Sequence, residues 1–221
     1  MFKTELHCHS DSISACARVN NNDIIEKFTS AGYNSLVLTN HFTTGTMSHH
    51  GYTDWDRWVD GFVDAYEKLK EDAKGKLNVL LGMELRFDES DNDYLVYGIS
   101  REFLKKHPDI CKMNADSFHK LAQENGCLFI QAHPFRNWSK IIRPDMLDGV
   151  EAFNGHMGHD SRNEIAEMWA EKYSLIKTSG TDFHYNTSPA NGGIFTNEEI
   201  TSIPQLIEVL KSGSYTLNKD I

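Results

Sequence analysis

Short apolar runs recur along the chain with longer amphipathic stretches between them, and no other feature restricts the fold as strongly. The runs "TELHCH", "SLVLT", "LNVLLGMEL", "YLVYGI", "CLFIQA", "GVEAF" and "SLIKTS" predict strands at Thr4–His9, Ser35–Thr39, Leu77–Leu85, Tyr94–Ile99, Cys127–Ala132, Gly149–Phe153 and Ser174–Ser179. Helical periodicity covers Asp23–Ala31, Asp54–Lys74, Ala115–Asn125, Asp160–Lys172 and Pro204–Lys211. Asn22 and Asn114 are expected as N-caps, Thr53 precedes the longest helix, and Gly32, Gly75 and Gly126 are expected C-terminal stops. Strands separated by helices favour a mostly parallel sheet covered by those helices. With 221 residues and no internal repeat, low-complexity tract or linker, one α/β domain over residues 1–221 is expected, barrel-like in form. A doubly wound open sheet is the alternative, although no glycine-rich phosphate loop of the GxGxxG or GxxxxGK type is present.

In parallel α/β folds chemistry gathers at the C-terminal ends of strands. His7 and His9 end the first run, and because residues i and i+2 share a face, two imidazoles aim at one point while Cys8 turns away. Taken alone, such a pair reads equally well as two solvent-exposed histidines. The second run leads into His41, the third carries Glu84, the fifth delivers His133 and the seventh ends in Asp182 and His184. Five of the 11 histidines therefore stand at strand ends, which scattered surface histidines would not do. Imidazole and carboxylate donors without thiolate suit zinc, manganese or iron in a hydrolytic site. These donors are too many for one ion, and Glu84 on the central third strand is placed to bridge two metals about 3.5–4 Å apart.

The charge balance narrows the function classes. Lys plus Arg is 22 against 32 for Asp plus Glu, a net charge of -10, so stable nucleic-acid binding is not expected. No apolar run approaches the ~18 residues of a membrane span. Four scattered cysteines (Cys8, Cys16, Cys111, Cys127) and no signal peptide suggest a reduced cytoplasm.

The ordered series HxH at 7–9, "TNH" at 39–41, "GMEL" at 82–85, "AHP" at 132–134 and "GTDFH" at 180–184 resembles the PHP family, named for polymerase and histidinol phosphatase. The resemblance runs from residue 4 to about residue 185. It lies nearest the stand-alone members whose first motif reads like "HTH…S.C.R", here His7 to Arg18 with Ser14 and Cys16. It implies a distorted (β/α)7 TIM-like barrel with two or three divalent ions (Zn, Mn or Fe) that hydrolyses phosphate esters. By family pattern His7, His9, Glu84 and Asp182 hold one metal and Glu84 with His133 a second, while His41 and His184 hold a third. Asp93 of "DYLVYG" takes the place of a second-metal histidine, with Asp91 and Asp88 as alternatives. Two departures stand out. Ser14 and Ala15 occupy the positions of a usual third-metal ligand, leaving Asp11 as a substitute, and the usual "DH" is Asn40–His41.

A phosphate also calls for fork-like donors, and Arg136 and Arg18 are the best placed. The segment from Phe42 to Trp58 suits a lid or substrate wall, or a loop whose aromatics pack on the barrel. His156 and His159 follow the sixth strand near the mouth, with Asn154 the favoured contact there; His49, His50, His107 and His119 are expected in solvent. The expected reaction is attack of a metal-bridging hydroxide on the phosphorus of a small metabolite or nucleotide. Arg136 steadies the developing charge, and His184 or a water protonates the leaving oxygen. An amidohydrolase cleaving a C–N bond, a metal-binding regulatory module without turnover and, more weakly, a proofreading nuclease are the competing readings. The sequence leaves the oligomeric state open.

Overall fold

The computed structural model describes residues 1–220. Its strands are β1 (Phe2–Cys8), β2 (Ser35–Leu38), β3 (His41–Phe42), β4 (Asn78–Arg86), β5 (Asp93–Tyr97), β6 (Leu128–Gln131), β7 (Gly149–Asn154), β8 (Ile176–Gly180), β9 (Ile194–Thr196) and β10 (Thr216–Leu217). Its helices are α1 (Asn21–Ser30), α2 (Thr44–His49), α3 (Trp55–Asp72), α4 (Arg101–Lys106), α5 (Ala115–Glu124), α6 (Asn163–Tyr173) and α7 (Ile203–Ser212). The sheet order β1-β2-β4-β5-β6-β7-β8 returns on itself at the rim. There His9 N–H donates to Phe183 O (3.1 Å) and Phe183 N–H to His7 O (3.3 Å). Lower down β9 pairs antiparallel with β1 and β10 with β9, so the seam between β8 and β1 is filled by the C-terminal segment. The result is the expected distorted TIM-like barrel, nearly closed.

One strand departs from the expected parallel order. β5 runs antiparallel to both β4 and β6, with Arg86 opposite Asp93. The physical reason is the link: the polar stretch between Arg86 and Asp93 is too short for a helical crossover and turns as a hairpin. Reversal brings Asp93, the first residue of β5, to the rim where the parallel strands end. The second predicted run also breaks at Thr39 and Asn40 and resumes as β3, which pairs His41 with Glu84.

Caps differ in detail from expectation. Asn20, not Asn22, caps α1, accepting from the N–H groups of Asn22 and Asp23, and Asp54 caps α3. Asn114 caps α5 as expected, and Gly32, Gly75 and Gly126 adopt the left-handed conformation just past their helices. The predicted last barrel strand begins at Ile176 because Ser174 is the left-handed cap of α6. The barrel floor is apolar: Leu6, Val37, Leu80, Leu95 and Ile130 pack with Leu206 and Leu210 of α7. Outside the sheet, Phe42 meets Phe62 edge-on and Trp58 at a tilt, both from the buried face of α3. The aromatics of the 42–58 segment therefore belong to the core rather than to a lid, each burial contributing about 1.5–3 kcal/mol. Among the described residues no helix is long and apolar enough to cross a membrane.

Candidate metal centre

The apolar floor gives way at the rim to a buried polar layer. His7, His9, Glu84, His133 and Asp182 are each at most 4% exposed. β1 carries a register shift between Glu5 and Cys8. His7 and His9 face inward, while Cys8 packs under α1 with Val19, Ile24 and Phe28. His133 and Asp182 adopt left-handed backbone, φ 30° and 50°. Non-glycine residues held there carry strain of about 1–3 kcal/mol each, a pattern found where a site fixes its geometry.

Four overlapping groups form: His7/Glu84/His133, His7/His9/Asp182, His41/Glu84/Asp93 and His9/His41/His184, with the donor atoms of each group within 4.8 Å of one another. These groups contain all eight residues expected as ligands. His7 Nε2 lies 3.2 Å from Glu84 Oε1 and 3.5 Å from Asp182 Oδ1. His9 Nε2 is 3.4 Å from both Glu84 Oε2 and Asp182 Oδ1. Glu84 also meets His41 Nδ1 at 2.7 Å and His133 Nε2 at 3.1 Å. His7, His9, His41 and Glu84 each belong to two of the groups, and Glu84 is the carboxylate among them.

The donor set fits cations. His7 Nε2 and His9 Nε2 are buried with no hydrogen-bond partner. Leaving a buried polar atom unmatched costs about 1–3 kcal/mol, so two converging on one space indicate a partner of another kind. Charges are sorted within the cluster. Burial resists ionisation of Glu84 and Asp182, but His7 and its neighbours hold both carboxyls well below the usual range. Burial opposes a proton on His7 and His41, yet the carboxylates around them keep both imidazoles well above the ordinary value. His9, buried beside His184 and His41, is pushed well below it.

Several groups that sequence reasoning missed complete the layer. Glu151 Oε1 accepts from His7 Nδ1, and its Oε2 accepts from His133 N–H (2.9 Å) and Asn154 Nδ2 (3.0 Å). Glu5 Oε1 accepts from the N–H groups of His7 (2.7 Å) and Thr181 (2.8 Å), and burial raises its carboxyl to about 7. Arg86 grips Asp93 through Nε and Nη2, both at 2.7 Å, an unanticipated competitor for that carboxylate. A glutamate inside the otherwise apolar run "GVEAF" was the available signal for Glu151.

The remaining expected residues divide. Arg136 reaches the cluster, donating through Nη2 to Asp182 Oδ2 (2.7 Å) and Asn154 Oδ1 (2.9 Å). Arg18 does not: its exposed guanidinium donates to the Ala15 and Ala17 carbonyls, and only its backbone N–H touches the layer, at His184 O (2.8 Å). Its placement gives no support to the expected phosphate contact. Asp11 is exposed and outside every donor group, while Asp88 accepts from Thr44 and Asp91 pairs with Lys140. Asn154 donates to Asp182 Oδ2 at 3.2 Å, and the His156 ring stands 5.5 Å from that of His184. His50 is half-buried against Ile13 O, and His119, expected in solvent, is buried against Asp148. Cys16 Sγ lies 3.2 Å from His184 Nε2. Burial opposes ionisation of that thiol, but bonds to His184 and His41 hold it at about 6.

The family model of the PHP domain matches residues 5–196. No curated protein matches the sequence. The solved structures that share the fold include the following three. A two-domain protein of Bacteroides vulgatus, described as containing a predicted PHP-like metal-dependent phosphoesterase, superposes with TM-score 0.68 at 16% identity. That match covers 99% of this chain and 65% of the other, so this chain spans just under two thirds of that protein. A lesion-specific endonuclease of Pyrococcus furiosus superposes with TM-score 0.64 at 14% identity, covering 98% of this chain and 57% of its own. An amidohydrolase of Chromobacterium violaceum with bound sulfate and no metal gives 0.51 at 13%, covering 94% and 96%.

Proposed function

The chain belongs to the PHP domain family, and from that premise we propose that it is a metal-dependent hydrolase cleaving phosphate esters of a small metabolite or nucleotide. The observation that carries the reading is the shared Glu84 carboxylate, set among unpartnered imidazole nitrogens at the barrel rim. His7, His9, Glu84 and Asp182 would hold one divalent ion (zinc, manganese or iron), and Glu84, His133 and Asp93 a second. When bound, such ions supply a Lewis acid for a phosphoryl oxygen and acidify water enough for it to attack near neutral pH.

The protein's own groups have separate tasks. Glu5, Glu84, Asp93, Glu151 and Asp182 bring five carboxylates to the layer against the two guanidinium groups of Arg86 and Arg136. Once coordination has displaced the imidazole protons, the carboxylates outnumber the fixed cations and favour metal ions, and a cation-loaded layer can draw in an anionic ester despite the acidic surface. Arg136, held by Asp182 and Asn154, is the group assigned to the equatorial phosphoryl oxygens. Burial opposes protonation of His184, yet Asp182 and Cys16 raise its imidazole to about 9, so it can give the leaving oxygen a proton while uncoordinated.

A C–N bond hydrolase is the second reading, favoured by the likeness to the amidohydrolase. The endonuclease neighbour raises a nucleic-acid substrate, but a net charge of -10 argues against stable binding of a polyanion. Metal analysis of freshly purified protein, paired with screens for phosphate and ammonia release, separates the phosphate-ester and C–N readings. At least two ions per chain with phosphate release is expected. Ammonia release without phosphate would move the assignment to amide chemistry, and bound ions with neither product would mark a binding module.

A further inference from the structure

We propose that the outer side of α6 is the contact face of a symmetric dimer, its occupant being α6 of a second copy of this chain running antiparallel. The inference is independent of the chemistry at the rim. Four of the eight large apolar side chains left exposed stand together here: Ile165, Met168 and Tyr173 on α6, and Trp138 in the loop beside it. That loop is fastened to the start of the helix, because Arg162 donates to Phe135 O and to Asn137 Oδ1 (2.6 Å). The Phe135 ring meets Trp169 edge-on at 6.2 Å, and Trp169 lies 4.4 Å from Tyr173. Ala166 and Ala170 are the buried residues of α6, so Ile165, Met168, Trp169 and Lys172, three and four residues apart, form one outward strip. Trp138 is 87% exposed and held in left-handed backbone at φ 80°, which costs a bulky residue about 1–3 kcal/mol. Tryptophan, tyrosine and methionine are the side chains that interface cores bury.

The charges on α6 select a second copy as the occupant. Glu167 pairs with Lys177 and Lys219, and Glu171 with Lys177, whereas Glu164 and Lys172 form no ion pair among the described residues. Two α6 helices packed antiparallel about a two-fold axis near Met168 set the first turn of one against the last turn of the other. Glu164 of each copy then faces Lys172 of the other, and the Ile165 side chains meet the lysine stems. The opposed helix dipoles add to the attraction. A patch that complements itself on reversal is what an isologous contact requires.

Sedimentation velocity over a concentration series tests this on wild type, M168E, E164K, K172E and the E164K/K172E double variant, with circular dichroism to check folding. Wild type is expected to reach twice the 25.2 kDa of one chain. M168E sets like charges across the axis and should raise the dissociation constant roughly thirtyfold or more. Each single reversal should weaken the dimer, and the double reversal should restore it. Wild-type tryptophan emission should also move to the red on dilution as Trp138 returns to water, a measurement that stands even if a variant fails to fold. Wild type that stays a single chain at every concentration would overturn the second copy as occupant and leave the strip to a different partner. A dimer that M168E does not weaken would overturn this face, and single reversals without recovery in the double variant would overturn the antiparallel pairing.

Discussion

Glu151 Oε1 accepts a 2.8 Å hydrogen bond from His7 Nδ1, and neither side chain reaches solvent. The bond keeps a proton on Nδ1, so that when the ring is neutral it is the Nε2 lone pair that faces Glu84 and Asp182. The other oxygen of the same carboxylate holds the backbone N–H of His133. E151Q would offer an amide donor where acceptors are needed on two sides. Its metal affinity, measured by competition with a chromophoric chelator, should fall about 10–100-fold with unchanged far-ultraviolet circular dichroism. An unaltered affinity would mean that His7 needs no such support.

Glu84 contacts His7, His9, His41 and His133 at once. In E84Q metal content and phosphate release should fail together, with turnover down by more than the roughly hundredfold that outer ligand partners cost. A variant retaining both would contradict the bridging role.

Gly180, the last residue of β8, has no room for a methyl group: a Cβ there would lie 2.3 Å from His7 Cβ and 2.7 Å from Glu151 Oε1. G180A should lose about 1–3 kcal/mol in thermal or denaturant unfolding, as overpacking does, and bind less metal because His7 is displaced. Wild-type stability with full metal content would show that β8 yields at this point.

Metal loading should depend on pH. Against the effect of burial, carboxylates hold His7 and His41 above the ordinary value of 6.5, so both are protonated in the metal-free protein near neutrality. Coordination needs the neutral ring, so loading releases protons and apparent affinity drops about tenfold per pH unit for each proton displaced as pH falls. The metal-free protein carries the opposite sign. Stability from these two raised groups is fully present below about 6.5 and is lost as pH rises through their folded-state values. Calorimetric metal titrations in two buffers of different ionisation enthalpy, with metal-free melts above pH 6.5, check both signs. Loading without proton release would refute the charge assignment.

Arg136 is tied to Asn154 and to Oδ2 of Asp182, whose other oxygen, Oδ1, faces His7 and His9. R136A should leave metal content near wild type and lower kcat/KM for a phosphate ester by about 1.5–3 kcal/mol, roughly ten- to a hundredfold. R136K should recover little, since an ammonium cannot reproduce the guanidinium fork. Equal activity in R136A would remove Arg136 from the substrate side.

The barrel and most of the rim were legible because both follow from local rules. Alternating apolar runs fix strand positions, and strand ends in such folds collect function, which pointed to His7, His9, His41, Glu84, His133 and Asp182. Asp93 had to be carried by motif: a strand-end rule looks at C-termini, and nothing but the shortness of the 87–92 link announces that β5 is reversed. Partners that come from distant strands left weaker traces. Glu151 and Arg86 are ordinary residues until the sheet closes and sets them against His7 and Asp93. The aromatic 42–58 segment shows the converse limit, since composition alone does not separate a wall facing substrate from a layer facing α3.

The left-handed backbone at His133 and Asp182 reaches beyond the present molecule. A substitution at either place must satisfy the bend before it satisfies the chemistry, and β-branched residues are poorly suited to it. Asparagine accepts that conformation and erases the charge of Asp182 in one step. Asp182→Asn is therefore the change expected to keep the bend at position 182 while removing one of the proposed cation ligands.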